Sequence, residues 1–179
     1  MQQNSELVRN TVLQTLAKVL SIGLGWFTVI AMTNHLGAAG FGSYTIMVAY
    51  LQFFGVAADL GFVLVSSQLL AERPQDREKI FANLLTFRLL TAGVLIFMAP
   101  MFIWFFPYSD AVQNGVVVLS LSFFLIALLQ VFTGLFQATL KMGRAMLAEL
   151  LGRAVLLVVL LVAMSSGFGL QFVVWGVVL

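Results

Sequence analysis

The chain contains no cysteine, one histidine and three prolines in 179 residues. The lack of cysteine excludes disulfide scaffolds, thiol chemistry and cysteine-based metal sites. The single histidine and the seven Asp and Glu residues are scattered along the chain, so we predict no metal site and no cofactor. No pairing of a nucleophile with a base stands out either, and the sequence therefore does not favour an enzyme.

Charged residues are also scarce, at 9% of the chain, whereas soluble domains carry about 25%. Hydrophobic residues make up 61%, and the mean hydropathy is +1.06. This apolar surface is more than one water-facing globule could bury, which favours a membrane protein. The net charge of +2 does not indicate nucleic-acid binding, because the cations are few and are not gathered in one patch.

Long apolar runs predict the fold class. A helix that crosses the bilayer core needs roughly 20 apolar residues. Five runs reach this length and a sixth begins, so we predict an all-α fold, a polytopic transmembrane helical bundle. The predicted spans cover residues 11–33, 43–70, 80–106, 115–140 and 146–164, with an incomplete sixth over 169–179. The incomplete span is expected if this chain is the N-terminal portion of a longer protein.

The positions of Lys and Arg predict the orientation of the bundle. They concentrate at the N-terminus, in residues 71–80 and in residues 141–144, or in the adjoining parts of the spans. The connections around His35, Asp110 and Ser165 carry none. Because cationic connections stay in the cytoplasm, we predict a cytoplasmic N-terminus.

Two segments are predicted to redirect the chain. Residues 34–42 contain Gly37, Gly40 and Gly42, which permit a tight outer connection with positive φ values. The second span has about 28 residues and would measure some 42 Å as a straight helix. We therefore expect a bend at residues 59–61, where the sequence reads Asp-Leu-Gly, or an extension into the cytoplasm.

Polar and small residues follow one face of the first, second and fourth predicted spans. Such a stripe either packs helices together, through small residues and interhelical hydrogen bonds, or lines a hydrated cavity. The charged members favour a cavity, because packing does not need them. The predicted cavity-lining residues are Gln14, Ser21, Gln52, Asp59, Gln130 and Gln137.

Three basic residues lie inside predicted spans. Lys18, Arg88 and Arg153 are each about seven or eight residues from the cytoplasmic end of their span, or ~11 Å. They predict a cationic vestibule for an anionic head group, in which Arg grips a phosphate with two hydrogen bonds. Alternatively, they snorkel to the lipid head groups, or Arg153 pairs with Glu149 four residues earlier. Asp59 either pairs with one of these cations or titrates as an ion-coupling site.

A family resemblance rests on the first outer connection and the second span. Residues 33–44 read Thr-Asn-His-Leu-Gly-Ala-Ala-Gly-Phe-Gly-Ser-Tyr, and the Asp-Leu-Gly of residues 59–61 follows. This pattern resembles the N-terminal signature of bacterial polysaccharide exporters, the O-antigen and lipid-linked oligosaccharide flippases. They belong to the multidrug/oligosaccharidyl-lipid/polysaccharide exporter superfamily. Span lengths and the charges of the connections extend the resemblance over the whole chain.

The resemblance implies that residues 1–179 are the N-terminal half of a two-lobed transporter that works by alternating access. Its implied substrate is a polyprenyl-diphosphate-linked oligosaccharide, carried from the inner to the outer leaflet of the bacterial plasma membrane for cell-surface polysaccharide biosynthesis. The expected partners are the lipid bilayer, this anionic lipid, and polysaccharide polymerase and chain-length proteins, but no nucleic acid. The alternatives are a drug or cation exporter of the same superfamily and a non-transporting membrane scaffold subunit.

Overall fold

A computed structural model describes residues 2–139, 142–166 and 169–178, and the side chains of 15–139, 143, 146–166 and 169–178. These residues form six α-helices and one 3-10 turn, with no strand among them. The prediction of an all-α fold is confirmed. The elements are α1 (Gln2–Asp59), α2 (Phe62–Glu72), the turn (Pro74–Asp76), α3 (Arg77–Ile103), α4 (Asp110–Ala138), α5 (Met142–Ser165) and α6 (Leu170–Val178).

Several of these helices suit a membrane. In the described residues, four largely helical stretches are long and apolar enough to cross a bilayer. They are Thr15–Glu72, Pro74–Ile103, Asp110–Ala138 and Met146–Ser165. Large apolar side chains such as Trp26, Phe53 and Met101 are exposed on their surface, as expected of helices surrounded by lipid rather than water.

Helix α1 consists of two helices that meet at Gly37, where φ is 66° and ψ is 177°. Residues 34–42, predicted as a loop, are therefore helical on both sides of Gly37. The prediction of positive φ at Gly40 and Gly42 is wrong, because the glycines described with positive φ are Gly37 and Gly61. One residue outside the helical region is enough to redirect the chain, and the alanines that follow it are strong helix formers.

The bend predicted at residues 59–61 is confirmed. Helix α1 ends at Asp59 and α2 begins at Phe62. Leu60 has a φ of 35° and Gly61 a φ of 82°, and the left-handed conformation of the second is one that glycine adopts without steric cost. The break leaves carbonyl groups at the end of α1 without helical partners, and this matters for the site below.

The contacts of α1 show that its two halves run in opposite directions. In the first half, residues 2–36, Lys18 meets Glu149 and Met32 packs against Leu160, so this half runs parallel to α5. In the second half, residues 38–59, Gly55 lies against Phe123 and Ala58 lies near Ala127, so this half runs parallel to α4.

The contacts of α6 give the relative directions of α4 and α5. The hydroxyl of Ser122 donates to the carbonyl of Val177, while Leu119 packs with Val174, so α4 and α6 are parallel. A Cβ on Gly176 would meet Val159 of α5, and Val173 packs against Ala163, so α5 and α6 are antiparallel. The chain therefore reverses direction at Gly37, as two successive spans require.

The main apolar core joins the second half of α1 with α3, α4 and α6. Its buried members are Met47, Leu51, Ala99, Ile103, Val112, Val116, Leu119 and Val174. They lie toward the end of the bundle where α3 ends and α4 begins. The charged side chains described next lie toward the other end, nearer the start of α3 and of α5.

Candidate functional site

The charged residues of the spans form two separate clusters. The Arg88 cluster comprises Asp59, Arg88 and Gln130, contributed by α1, α3 and α4. The α1–α5 cluster comprises Lys18, Glu149 and Arg153. The structure thus brings Lys18 and Arg153 together, whereas Arg88 lies in a separate cluster with Asp59 and Gln130.

The side chain of Arg88 is buried, with 1% of its surface exposed. Its Nε donates to the carbonyl of Ala127 at 3.0 Å, and Nη1 donates to the carbonyl of Ala58 at 2.6 Å. Its Nη2 donates to the carboxylate of Asp59 at 3.3 Å and to the side-chain oxygen of Gln130. A guanidinium carries five N–H groups, so few remain for any other acceptor.

The break after α1 explains why these partners meet. A helix that ends at Asp59 presents unpaired carbonyls and the negative end of its dipole, and a cation there is favourable. Arg88 satisfies one of those carbonyls, while the ring of Phe62, the first residue of α2, lies 4.7 Å from its guanidinium carbon. The predicted pairing of Asp59 with an intramembrane cation is confirmed.

The α1–α5 cluster is more open and centres on one carboxylate oxygen. Oε1 of Glu149 accepts from Nη2 of Arg153 at 3.1 Å and from Nζ of Lys18 at 3.4 Å. The first contact is the intrahelical pair expected from the spacing of four residues, which is confirmed. The side chains of Lys18, Glu149 and Arg153 are 52%, 37% and 38% exposed.

Arg153 is also held against the first half of α1. Its Nη1 donates to the carbonyl of Ser21 at 3.2 Å. A Cβ built on Gly25 would lie 2.6 Å from the same nitrogen, so a larger residue at position 25 would make the guanidinium shift from this position. Ser21, a predicted cavity residue of the first span, and Gly25, four residues further along the helix, therefore form the seat of an arginine from α5.

A cavity of about 580 Å³ lies beside this arginine, between α1 and α5. Its lining is mainly apolar, and its polar side chains are Arg153, Thr28 and Tyr44. The residues that line it are Ile22, Gly25, Trp26, Thr28, Val29, Met32, Phe41, Tyr44, Arg153 and Leu156. Such a space accommodates an apolar chain whose charged end reaches Arg153.

The remaining predicted cavity residues do not meet at this place. Ser21 is buried beneath Arg153, whereas Gln130 belongs to the Arg88 cluster. Gln52 is exposed and lines a second groove, of about 460 Å³, on the other half of α1. Gln137 is half-buried near the end of α4, and Gln14 lies in the part of α1 whose side chains are not described.

Sequence reasoning missed the double role of Glu149. The spacing indicated its pair with Arg153, but no local pattern indicates that Lys18, 131 residues away in sequence, shares the same oxygen. It also missed the seat for Arg153 at Ser21 and Gly25. The small residues at these two positions were a signal of close packing, but they did not indicate that α5 is the helix that packs there.

The fold and these clusters define a polytopic helical membrane protein with basic side chains inside its spans. The chain matches the family described as polysaccharide biosynthesis protein over residues 7–179, and it belongs to that family. Comparisons with curated proteins and with solved structures find no match. A role in polysaccharide biosynthesis or export follows from the family, and the predicted resemblance is confirmed.

Proposed function

We propose that this chain is part of a flippase that moves a polyprenyl-diphosphate-linked oligosaccharide from the inner to the outer leaflet of the bacterial plasma membrane. The family supplies the connection to polysaccharide. The observation that carries the proposal is the pair of basic side chains, Lys18 and Arg153, held around one carboxylate oxygen at the edge of a cavity. Two cations spaced to share an oxygen suit a phosphate group.

The mechanism we propose is alternating access without covalent chemistry. The diphosphate binds Lys18 and Arg153, the chain next to it occupies the cavity between α1 and α5, and the lobe then rocks to expose the head group on the other side. Polysaccharide polymerase and chain-length proteins would take up the delivered lipid. An exporter of cationic drugs fits less well, because the exposed α1–α5 cluster has two cations and one carboxylate.

Replacement of Lys18 and Arg153 by Gln, singly and together, tests this role in the full-length protein. Cell-surface polysaccharide is measured in cells that depend on the protein, at matched membrane levels. We expect the double replacement to reduce export about tenfold or more, as loss of charge-assisted phosphate contacts would require. Lys79→Gln, which removes an exposed cation at the start of α3, is the control. Wild-type export by the double variant would refute the phosphate-binding role.

A further inference from the structure

Glu149 stands where an anionic ligand would place its own oxygen. Its Oε1 bridges Nζ of Lys18 and Nη2 of Arg153. An incoming phosphate that uses both cations must therefore replace this oxygen. The cluster keeps one net positive charge when Glu149 is in place and two when the carboxylate has moved away.

We infer that Glu149 is an internal counter-anion that competes with the lipid head group for Lys18 and Arg153, and that it thereby makes the site prefer a diphosphate to a monophosphate. The inference rests on the proposed function. Exchange of the carboxylate for a monophosphate adds at most about one unit of negative charge at the two cations, because a phosphate monoester carries about −1.5 to −2 at pH 7 and the carboxylate −1. A diphosphate brings a second phosphoryl group and more acceptor oxygens, so it outcompetes the carboxylate.

The geometry lets the carboxylate of Glu149 move away from the two cations while the guanidinium of Arg153 stays in position. Arg153 is anchored to α1 by its hydrogen bond to the carbonyl of Ser21, and Gly25 leaves room for its guanidinium. In the described part of the chain, the contacts of the Glu149 carboxylate are with the two cations, and this side chain is 37% exposed. The phosphate-binding cation is thus held in position before the ligand arrives, which lowers the cost of binding.

Internal competition predicts how the two ligands differ. When a site is open for only a fraction of the time, the apparent dissociation constant rises by the inverse of that fraction. The apparent dissociation constant of a monophosphate, which cannot bind alongside the carboxylate, rises by this whole factor. A diphosphate can also use the positive charge that remains while the carboxylate is in place, so its apparent dissociation constant rises less. Removing the negative charge of Glu149 should therefore tighten the binding of the monophosphate more than the binding of the diphosphate.

The test measures equilibrium binding of geranylgeranyl monophosphate and geranylgeranyl diphosphate to the full-length protein in lipid nanodiscs. We expect the wild type to prefer the diphosphate, and Glu149→Gln to tighten monophosphate binding about tenfold while changing diphosphate binding less. Glu149→Asp keeps the charge on a side chain one methylene shorter, and an intermediate ratio is expected. Glu72→Gln removes an exposed carboxylate at the end of α2 and should leave the ratio unchanged.

The outcomes separate the inference from the function on which it rests. If the wild type binds the diphosphate lipid but Glu149→Gln and Glu149→Asp keep the wild-type ratio, or weaken both ligands equally, Glu149 is only a structural counter-ion and the inference is overturned. If the wild type binds neither lipid, the proposed function fails with it. Displacement of the lipid by an equal concentration of inorganic diphosphate would assign the site to the free anion and overturn the lipid specificity.

Discussion

Replacement of Arg88 by Gln distinguishes an arginine that holds the fold from one that binds substrate. The guanidinium is buried and donates to groups on α1 and α4. Glutamine is shorter and uncharged, so it cannot reach all of these acceptors, and Asp59 loses its cation. Removing one partner of a buried ion pair costs about 3–5 kcal/mol. Because Asp59 is 33% exposed, water or lipid head groups stabilise it in part, and we expect the lower end, about 3 kcal/mol.

The assay is thermal unfolding of the full-length protein in detergent, followed by size-exclusion chromatography. The entropy of unfolding scales with chain length, so in a two-lobed protein about twice as long as this chain a loss of about 3 kcal/mol corresponds to a fall in Tm of about 4 °C. Arg73→Gln is the matched control, because Arg73 is exposed in the connection before α3. Its effect should stay within about 0.5 kcal/mol. In the double variant with Asp59→Asn the loss should be less than the sum of the single losses, because the two residues are in contact.

The opposite result would refute this reasoning. If Arg88→Gln unfolds at the wild-type temperature and reaches the membrane at the wild-type level, yet exports no polysaccharide, then Arg88 contacts the substrate in a state that differs from this structure. The sequence-based prediction that Arg88 belongs to a substrate vestibule would then account for the loss.

Two glycine replacements test close approach and backbone conformation. Gly25→Ala should displace the guanidinium of Arg153 and weaken binding of the diphosphate lipid about tenfold, whereas Gly23→Ala, with no neighbour within 4 Å, should bind as the wild type does. Equal affinities would show that the seat of Arg153 is unimportant. Gly37→Ala should lower the free energy of unfolding by about 1–3 kcal/mol, since its backbone angles are essentially restricted to glycine. Gly42→Ala lies in a helix with open space around it, so equal unfolding temperatures for these two variants would contradict the assignment of the reversal to Gly37.

The features that sequence predicted well depend on local physics. The helical and apolar character of the long runs follows from composition and helix length. The bend at Leu60 and Gly61 follows from a span longer than the bilayer needs, together with a glycine. The pair of Glu149 with Arg153 follows from the spacing of one helical turn. Each of these needs only a short stretch of chain.

The features that sequence reasoning missed depend on which helices are neighbours. A helical period tells which residues share a face, but not which helix lies against that face. Snorkelling was therefore a fair alternative for Arg88, although its partners Ala58 and Gln130 lie 30 and 42 residues away and the side chain is buried. Likewise three glycines between residues 37 and 42 look equivalent in sequence, but only Gly37 adopts the positive φ at which the chain reverses direction.

The two clusters hold different halves of α1 against different helices. Arg88, on α3, joins the end of the second half to α3 and α4 through buried hydrogen bonds, and breaking that contact costs about 3 kcal/mol. Lys18 joins the first half to α5 through its partly exposed ion pair with Glu149, worth about 0–1 kcal/mol, and Arg153 joins it through a hydrogen bond to the carbonyl of Ser21. A ligand that supplies its own anion can replace the ion pair of Lys18 with Glu149 but has no access to the buried contacts of Arg88. The contact between α1 and α5 is therefore the one that ligand binding can remodel, while the contact with α3 and α4 keeps the rest of the helix in position.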